Sequence, residues 1–337
     1  VYRQDVDFKP LTLQLTKYGV RCLSSAIDGF SFDKINQLKT FFLSEKPDLI
    51  VFNQGHFYNA KNARMAAILA KIPHVIIHHG SPLEGRKNSN LLNLVFSRYT
   101  FPKALAMIVP SKASAAFLNQ YHSYAKAPLI INHGIDLKIF DPKKFNRKII
   151  KKNLSLPEDS FVLTFMGRLL PDKNPDWVLS VFEKIAQKNP KAQLLLVGEG
   201  ELRAKLKNSI SKTISDRVHF LGFCPDPAEI LAASDTMILT SRSESFGLVV
   251  IEAMAMGAVP VTFEVDSLSA IVKDSGKTVP YGDLDGLQQA IQGVIDSPSL
   301  KQNMVLAGQE RVKKLFNLER MQKATKQAIG RYLPSNN

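Results

Sequence analysis

The apolar positions of the chain fall into two alternating periods. Short runs that are apolar almost throughout, at 47–52, 74–78, 106–110 and 129–132, read as buried strands. Between them Phe32, Ile35, Leu38, Phe41 and Phe42 recur at helical spacing, and 60–70, 91–105 and 112–119 continue the helical segments. Ahead of these, Leu11, Leu13 and Leu15 and the run 18–23 suggest an apolar segment, a glycine turn and a strand. Alternation of this kind predicts a parallel, doubly wound α/β sheet. Residues 143–159 break the rhythm: they are charged, poor in aromatics and contain Pro157, and they read as an interdomain linker. The alternation then restarts, with strands at 161–165, 193–197, 218–221, 236–240 and 259–263 and helices at 177–187, 201–210, 228–233, 247–256 and 284–295. Two basic helices with apolar stripes, 300–315 and 318–333, close the chain. The expected organisation is one domain over 1–142, a linker over 143–160 and a second domain over 161–316.

One helix carries a residue that its pattern does not explain. Glu252 sits among Val249, Val250, Ile251, Ala253 and Met254, between a strand and the capping residue Gly257. A buried carboxylate without partners costs several kcal/mol, so a functional role is expected for it. Glu244 lies eight residues earlier in the loop, and Phe246-Gly247-Leu248 would present free backbone N–H groups at the helix start. Loops at the carboxyl ends of strands are where open α/β sheets bind ligands. Gly167-Arg168 and Lys173 follow the strand at 161–165, and the two cations are suited to a diphosphate.

Charge adds an asymmetry. The net charge is +14, and residues 1–150 hold 21 basic against 9 acidic residues. A basic first half implies an anionic partner, and both nucleic acid and an acidic membrane surface qualify, beside a merely soluble surface. No nucleic-acid motif is present, and the basic residues are not interleaved with aromatics. No window approaches the ~18 apolar residues of a membrane-spanning helix. Two cysteines, Cys22 and Cys224, argue against a disulfide framework and fit a reducing cytoplasm.

The run from Glu244 to Pro260, Glu-x-Phe-Gly-x-x-x-x-Glu-Ala-Met-Ala-x-Gly, resembles the donor-binding signature of retaining glycosyltransferases of family 4, which have the two-Rossmann-domain GT-B fold. The resemblance implies a nucleotide-sugar donor, UDP- or GDP-linked, with Glu252 on the ribose and Glu244, Ser245, Phe246, Gly247 and Leu248 around the transferred sugar. It implies that Arg168 and Lys173, after Gly167, neutralise the leaving diphosphate without any metal. Gly198 would let the backbone approach the nucleotide, and Phe223 would lie where the base is read, although it also reads as core. His79 would sit near the reacting sugar carbon, with His78 beside it as the competing assignment. The implied catalytic set is therefore His79, Glu244, Arg168 and Lys173, with His56 weakly placed on the acceptor side and His133 assigned to its turn. Asp283-Leu-Asp285 matches a metal pattern but reads as a helix cap.

The family also begins with a strand, a Gly-rich loop and a helix, and this sequence enters after that unit. Its last helix crosses back to the first domain, with the turning point at Phe316 to Arg320. An acceptor such as a glycolipid, lipopolysaccharide or lipid-linked saccharide fits the basic half, as does a monomeric cytoplasmic enzyme held peripherally at the membrane. Arg86, Lys87, Arg98 and Lys103, interleaved with apolar residues at 91–96, are the expected contacts. The competing readings are a GT-B sugar-nucleotide epimerase and a non-enzymatic anion- or nucleic-acid-binding protein.

Overall fold

The computed structural model describes residues 31–55, 59–80, 91–122 and 126–334. The expectations for 1–30, including how the chain enters the fold, and for His56, Arg86 and Lys87 lie outside the described residues.

The first half runs α1 (Phe32–Glu45), β1 (Ile50–Gln54), α2 (Lys61–Leu69), β2 (His74–His78), α3 (Leu91–Thr100), β3 (Ala106–Val109), α4 (Lys112–His122) and β4 (Leu129–Ile130). Its four described strands lie side by side in chain order and pair in parallel. Parallel neighbours need crossovers, and the intervening helices supply them.

The stretch read as a linker is not an open connection. Its residues 147–153 form α5 (Arg147–Asn153), capped by Asn146, whose side chain accepts from the amides of Lys148 and Ile149. Several of its charges are structural anchors. Lys151 is buried, and its Nζ donates to the carbonyls of Glu158 (2.9 Å) and Ser160 (2.6 Å). Arg147 pairs with the buried Asp235 at 2.5 Å, and Lys301 pairs with the other oxygen of the same carboxylate. Leu156 packs with Val162, Leu195, Val197 and Ile230 of the second half. A charge-rich composition hides such a segment because its apolar contacts are few.

The second half continues β5 (Phe161–Met166), α6 (Pro175–Lys188), β6 (Ala192–Val197), α7 (Arg203–Ser209), β7 (Val218–Gly222), α8 (Pro227–Ala233), β8 (Thr236–Leu239), α9 (Leu248–Met256), β9 (Val259–Phe263), α10 (Leu268–Val272), β10 (Lys277–Val279) and α11 (Leu284–Asp296). The six strands are parallel in the order β10-β9-β8-β5-β6-β7. β6 and β9 are buried along their whole length, which explains their unbroken apolar runs. The order reverses between β5 and β8, and a crevice opens at the carboxyl ends of strands where the order reverses.

The two sheets are joined where the chain passes between them and again where it returns. Ile135 and Asn317 form a parallel bridge: Ile135 N donates to Phe316 O, and Leu318 N donates to Ile135 O, both at 2.9 Å. Gly134 is confined there, because a Cβ would lie 2.2 Å from the carbonyl oxygen of Asn317. α12 (Pro298–Leu315) packs on the second half, and α13 (Leu318–Gly330) packs on the first sheet, where Ala328 and Ile329 meet Val75, Ala106 and Ile108. Among the described residues no helix is long and apolar enough to cross a membrane.

Candidate functional site

The loop after β8 leads into α9 through Gly247, whose φ of 92° is a left-handed geometry that glycine adopts at little cost. The helix ends at Gly257, also left-handed at φ 85°. α9 lies beside the switch point, with Phe246 buried beneath its start and Leu248 partly exposed. Val250 N donates back to Gly247 O at 3.0 Å, and the amino end of the helix carries the positive end of its dipole.

The loop itself is held by side chains that the motif does not include. Asp266 Oδ2 accepts from Ser243 Oγ at 2.5 Å and from the amide of Glu244 at 2.8 Å. Ser245 O accepts from Ser111 Oγ, at the start of α4 in the first half, at 2.8 Å. Glu244 turns to Lys173, with Nζ to Oε1 at 2.6 Å, and each side chain is only 16% exposed. Lys173 is placed from behind: Thr240 Oγ1 donates to its carbonyl at 2.7 Å and to that of Asn174 at 3.0 Å. Asn174 takes a left-handed φ of 45° and donates from Nδ2 to Thr240 O and to the Tyr281 hydroxyl.

Glu252 is mostly buried in α9, and burial pushes its carboxyl up to about 7. Among the described residues no hydrogen bond or ion pair answers this carboxylate. A hydroxyl donor from a ligand would offset that cost.

Glycines open the floor of the crevice on the β5–β6–β7 side. Gly198 has φ 132°, and a Cβ there would lie 1.9 Å from Gly167 O. Gly198 N donates to Gly222 O at 2.7 Å, and Gly167 N donates to Val197 O at 2.9 Å. Arg168 is exposed at the end of β5, while Phe223, after β7, is 77% exposed and so is not part of the core.

The first half offers the opposite wall. His78 is fully buried at the end of β2, whereas His79 lies just beyond the strand. The Nε2 of His79 meets Asn53 Oδ1 at 2.6 Å, and its ring stacks on His133 with centroids 5.0 Å apart. His133 in turn sets its ring against Phe246 at 5.2 Å, edge to face. It therefore does more than complete its own turn; it links the two halves. Burial holds both imidazoles below their ordinary range, His133 at about 4. Asp283 caps α11 by accepting from Gly286 N, and Asp285 pairs with Lys184.

Asn53, Ser111, His133, Thr240, Asn174 and Asp266 were missed by sequence reasoning. For most of them one signal existed: each of Asn53, Ser111, His133, Thr240 and Asp266 falls at or within three residues of a strand's carboxyl end.

Two family models match the chain, Glycosyltransferase Family 4 over residues 11–139 and Glycosyl transferases group 1 over residues 146–311. The chain belongs to glycosyltransferase family 4. Among its relatives is the UDP-Gal:alpha-D-GlcNAc-diphosphoundecaprenol alpha-1,3-galactosyltransferase of Escherichia coli, 27% identical over 76% of this chain and 68% of that protein. The N-acetyl-alpha-D-glucosaminyl L-malate synthase of Bacillus anthracis is 32% identical over 63% of this chain and 57% of that protein. The chain thus spans between about half and two thirds of the length of such relatives. Of solved structures, Anabaena HepE in complex with UDP superposes with a TM-score of 0.82 at 20% identity, covering 96% of this chain and 89% of that one. Sucrose-phosphate synthase from Thermosynechococcus elongatus gives 0.76 at 23% identity, covering 92% and 83%. The shared fold is GT-B, two parallel-sheet Rossmann-like domains.

Proposed function

We propose that this protein is a retaining, metal-independent glycosyltransferase that moves a sugar from a nucleotide diphosphate to an acceptor carried on an anionic surface. The observation that carries this reading is the unanswered carboxylate of Glu252 on a Gly247-led helix at the sheet's switch point, beside the Lys173–Glu244 pair. Glu252 would accept from a ribose hydroxyl. Glu244 and the backbone from Ser245 to Leu248 would hold the sugar, and Gly198 and Phe223 would flank the nucleoside. UDP is the favoured nucleotide, since the Anabaena neighbour was solved with UDP and the Escherichia coli relative is named for UDP-Gal.

As the sugar–phosphate bond breaks, charge grows on the diphosphate. Arg168, Lys173 and the amino end of α9 would meet it, which is stabilisation specific to the transition state. His79 would lie near the reacting carbon. Glu244 is already paired with Lys173, so attack by the acceptor on the leaving-group face is favoured over a carboxylate nucleophile. The anomeric configuration of the product, read by NMR, tests retention.

The acceptor side rests on α3. Val95 and Tyr99, one helical turn apart, are 58% and 50% exposed, and Lys103 Nζ lies 4.9 Å over the Tyr99 ring. With the exposed Arg98 they form an amphipathic edge suited to anionic lipid. The Escherichia coli relative is named for an acceptor on diphosphoundecaprenol, and a lipid-linked saccharide of that kind fits the same edge.

A thermal-shift panel with UDP-, GDP- and ADP-sugars tests the donor. Ligand at 100 Kd adds about 2.7 kcal/mol, so a matching nucleotide raises Tm by several degrees. No shift with any of the three would overturn the proposal.

A further inference from the structure

The contact between His79 and His133 has a definite direction. Asn53 Oδ1 only accepts, so the 2.6 Å contact requires the proton of His79 to sit on Nε2. That leaves Nδ1 of His79 with a lone pair, and His133 Nε2 lies 3.4 Å from it. Two bare nitrogens would repel each other, so His133 must carry its proton on Nε2 and donate. The His79 main chain is fixed as well. Its amide donates to Gln54 O at 2.9 Å, and the following Gly80 leaves no room for a Cβ, which would lie 2.1 Å from Gly55 O. Beyond His133 the column continues into Phe246, which is buried and also meets Phe316 edge-on at 5.6 Å. Asn53, His79, His133 and Phe246 thus form one continuous line from the end of β1 to the residue before Gly247.

We propose that His133 is a positioning residue that holds His79 as its Nε2–H tautomer, through an imidazole–imidazole hydrogen bond, at a fixed distance from the donor loop. The proposal rests on the reading of His79 as a residue of the transfer site. It changes that reading in one respect: both ring nitrogens of His79 are occupied within the protein. His79 then serves as a neutral, oriented wall beside the sugar, and it does not exchange a proton with the substrate. Burial is the first cause that lowers the proton affinity of both rings, and the His79 ring adds to it at His133.

The first test needs no substrate. The titration midpoint of His79 is followed by NMR in protein labelled at histidine, with the signal assigned by its loss in His79→Gln. His133→Phe keeps the ring and the packing on Phe246 but removes the donor. His133→Gln keeps an N–H donor and removes the ring. While His133 keeps its proton on Nε2, protonating His79 at Nδ1 breaks the bond from His133, so loss of the donor raises the proton affinity of His79. A parent protein that holds its proton more tightly than His133→Phe would mean that His133 changes tautomer and accepts, which overturns the proposal. The expected gain in His133→Phe is about tenfold, the worth of one neutral hydrogen bond, with His133→Gln close to the parent. If packing alone matters, the order reverses: His133→Phe titrates like the parent and His133→Gln gains affinity because water enters. That result, or no change in either variant, overturns the proposal. Should His133→Phe not fold, His133→Met takes its place as the variant without a donor. In turnover of the donor identified by thermal shift, His133→Phe is expected to lower kcat several-fold at constant donor KM. A raised KM with unchanged kcat overturns the positioning role. Failure of UDP binding would instead remove the donor-site reading and leave the titration result standing.

Discussion

Glu252 puts a carboxylate where water is scarce, and its titration makes that measurable. Its pKa rises from 4.5 to about 7 because of burial, so the folded protein keeps a proton that the unfolded chain has released. Ligand-free stability should therefore fall as pH rises from about 4.5 through 7, and Glu252→Gln should remove that fall. At pH 8 the substitution is expected to stabilise the empty protein by on the order of 2–3 kcal/mol. It should at the same time weaken nucleotide binding by about 1.5–3 kcal/mol, the worth of a hydrogen bond to a charged group. Binding at pH 7 should release about half a proton from Glu252, which is half protonated there, seen as different calorimetric heats in buffers of different ionisation enthalpy. Equal heats in the parent protein would count against contact between this carboxylate and the ribose.

Arg168→Ala and Lys173→Ala should each lower kcat while leaving Tm within a few degrees, since both act on charge that grows during the reaction. Turnover that survives EDTA is expected alongside. Loss in EDTA with rescue by Mg²⁺ would replace the metal-free account.

Much of this was legible residue by residue, because Glu252 violates an apolar pattern and Gly247 precedes it. The partner of Lys173 was not, since Glu244 lies 71 positions away and only the packed sheet brings them together. His133 was equally opaque: a histidine in an Asn-x-Gly-Ile-Asp turn carries no mark of the ring across the crevice.

At the scale of elements, the long apolar strands and helices were legible because burial on both faces leaves unbroken runs. The short pieces were not. β10 has three residues, Lys277–Val279, too few to show a period. α5 was hidden by its own charge, although its Arg147 and the Lys301 of α12 both depend on Asp235, which also accepts from Val162 N at 2.8 Å. Asp235→Asn would leave two cations without their carboxylate. A loss on the order of 2–3 kcal/mol is expected in urea unfolding, less than for a fully buried pair because both cations are partly exposed. A change below about 0.5 kcal/mol, the level of an ordinary surface substitution, would mean that these charges are decorative.

For the whole molecule, the charge difference between the halves becomes a question of place. Basic groups near anionic lipid contribute about 1 kcal/mol each at best and fade within a Debye length. Co-sedimentation with anionic vesicles at low salt, lost at high salt and absent with neutral vesicles, is the expected result. Replacing Arg98 and Lys103 by Ser should reduce it. Equal binding to both vesicle types would remove the membrane part of the proposal and leave the donor site untouched.

The return of α13 to the first sheet has a consequence for the order in which the protein is made. Val75, Ala106 and Ile108 leave the ribosome well ahead of Ala328 and Ile329, which cover them. Domains generally fold as units during synthesis, first half first. Here the first half waits with an apolar face exposed until α13 has been made, while the second half can close before it. A chain stopped after residue 316 should accordingly show a protease-resistant second half and a first half that is cut rapidly. In cells the same interval is when a chaperone would be needed, and shortening it by moving α13 ahead of α1 in a circular permutant should raise the soluble yield.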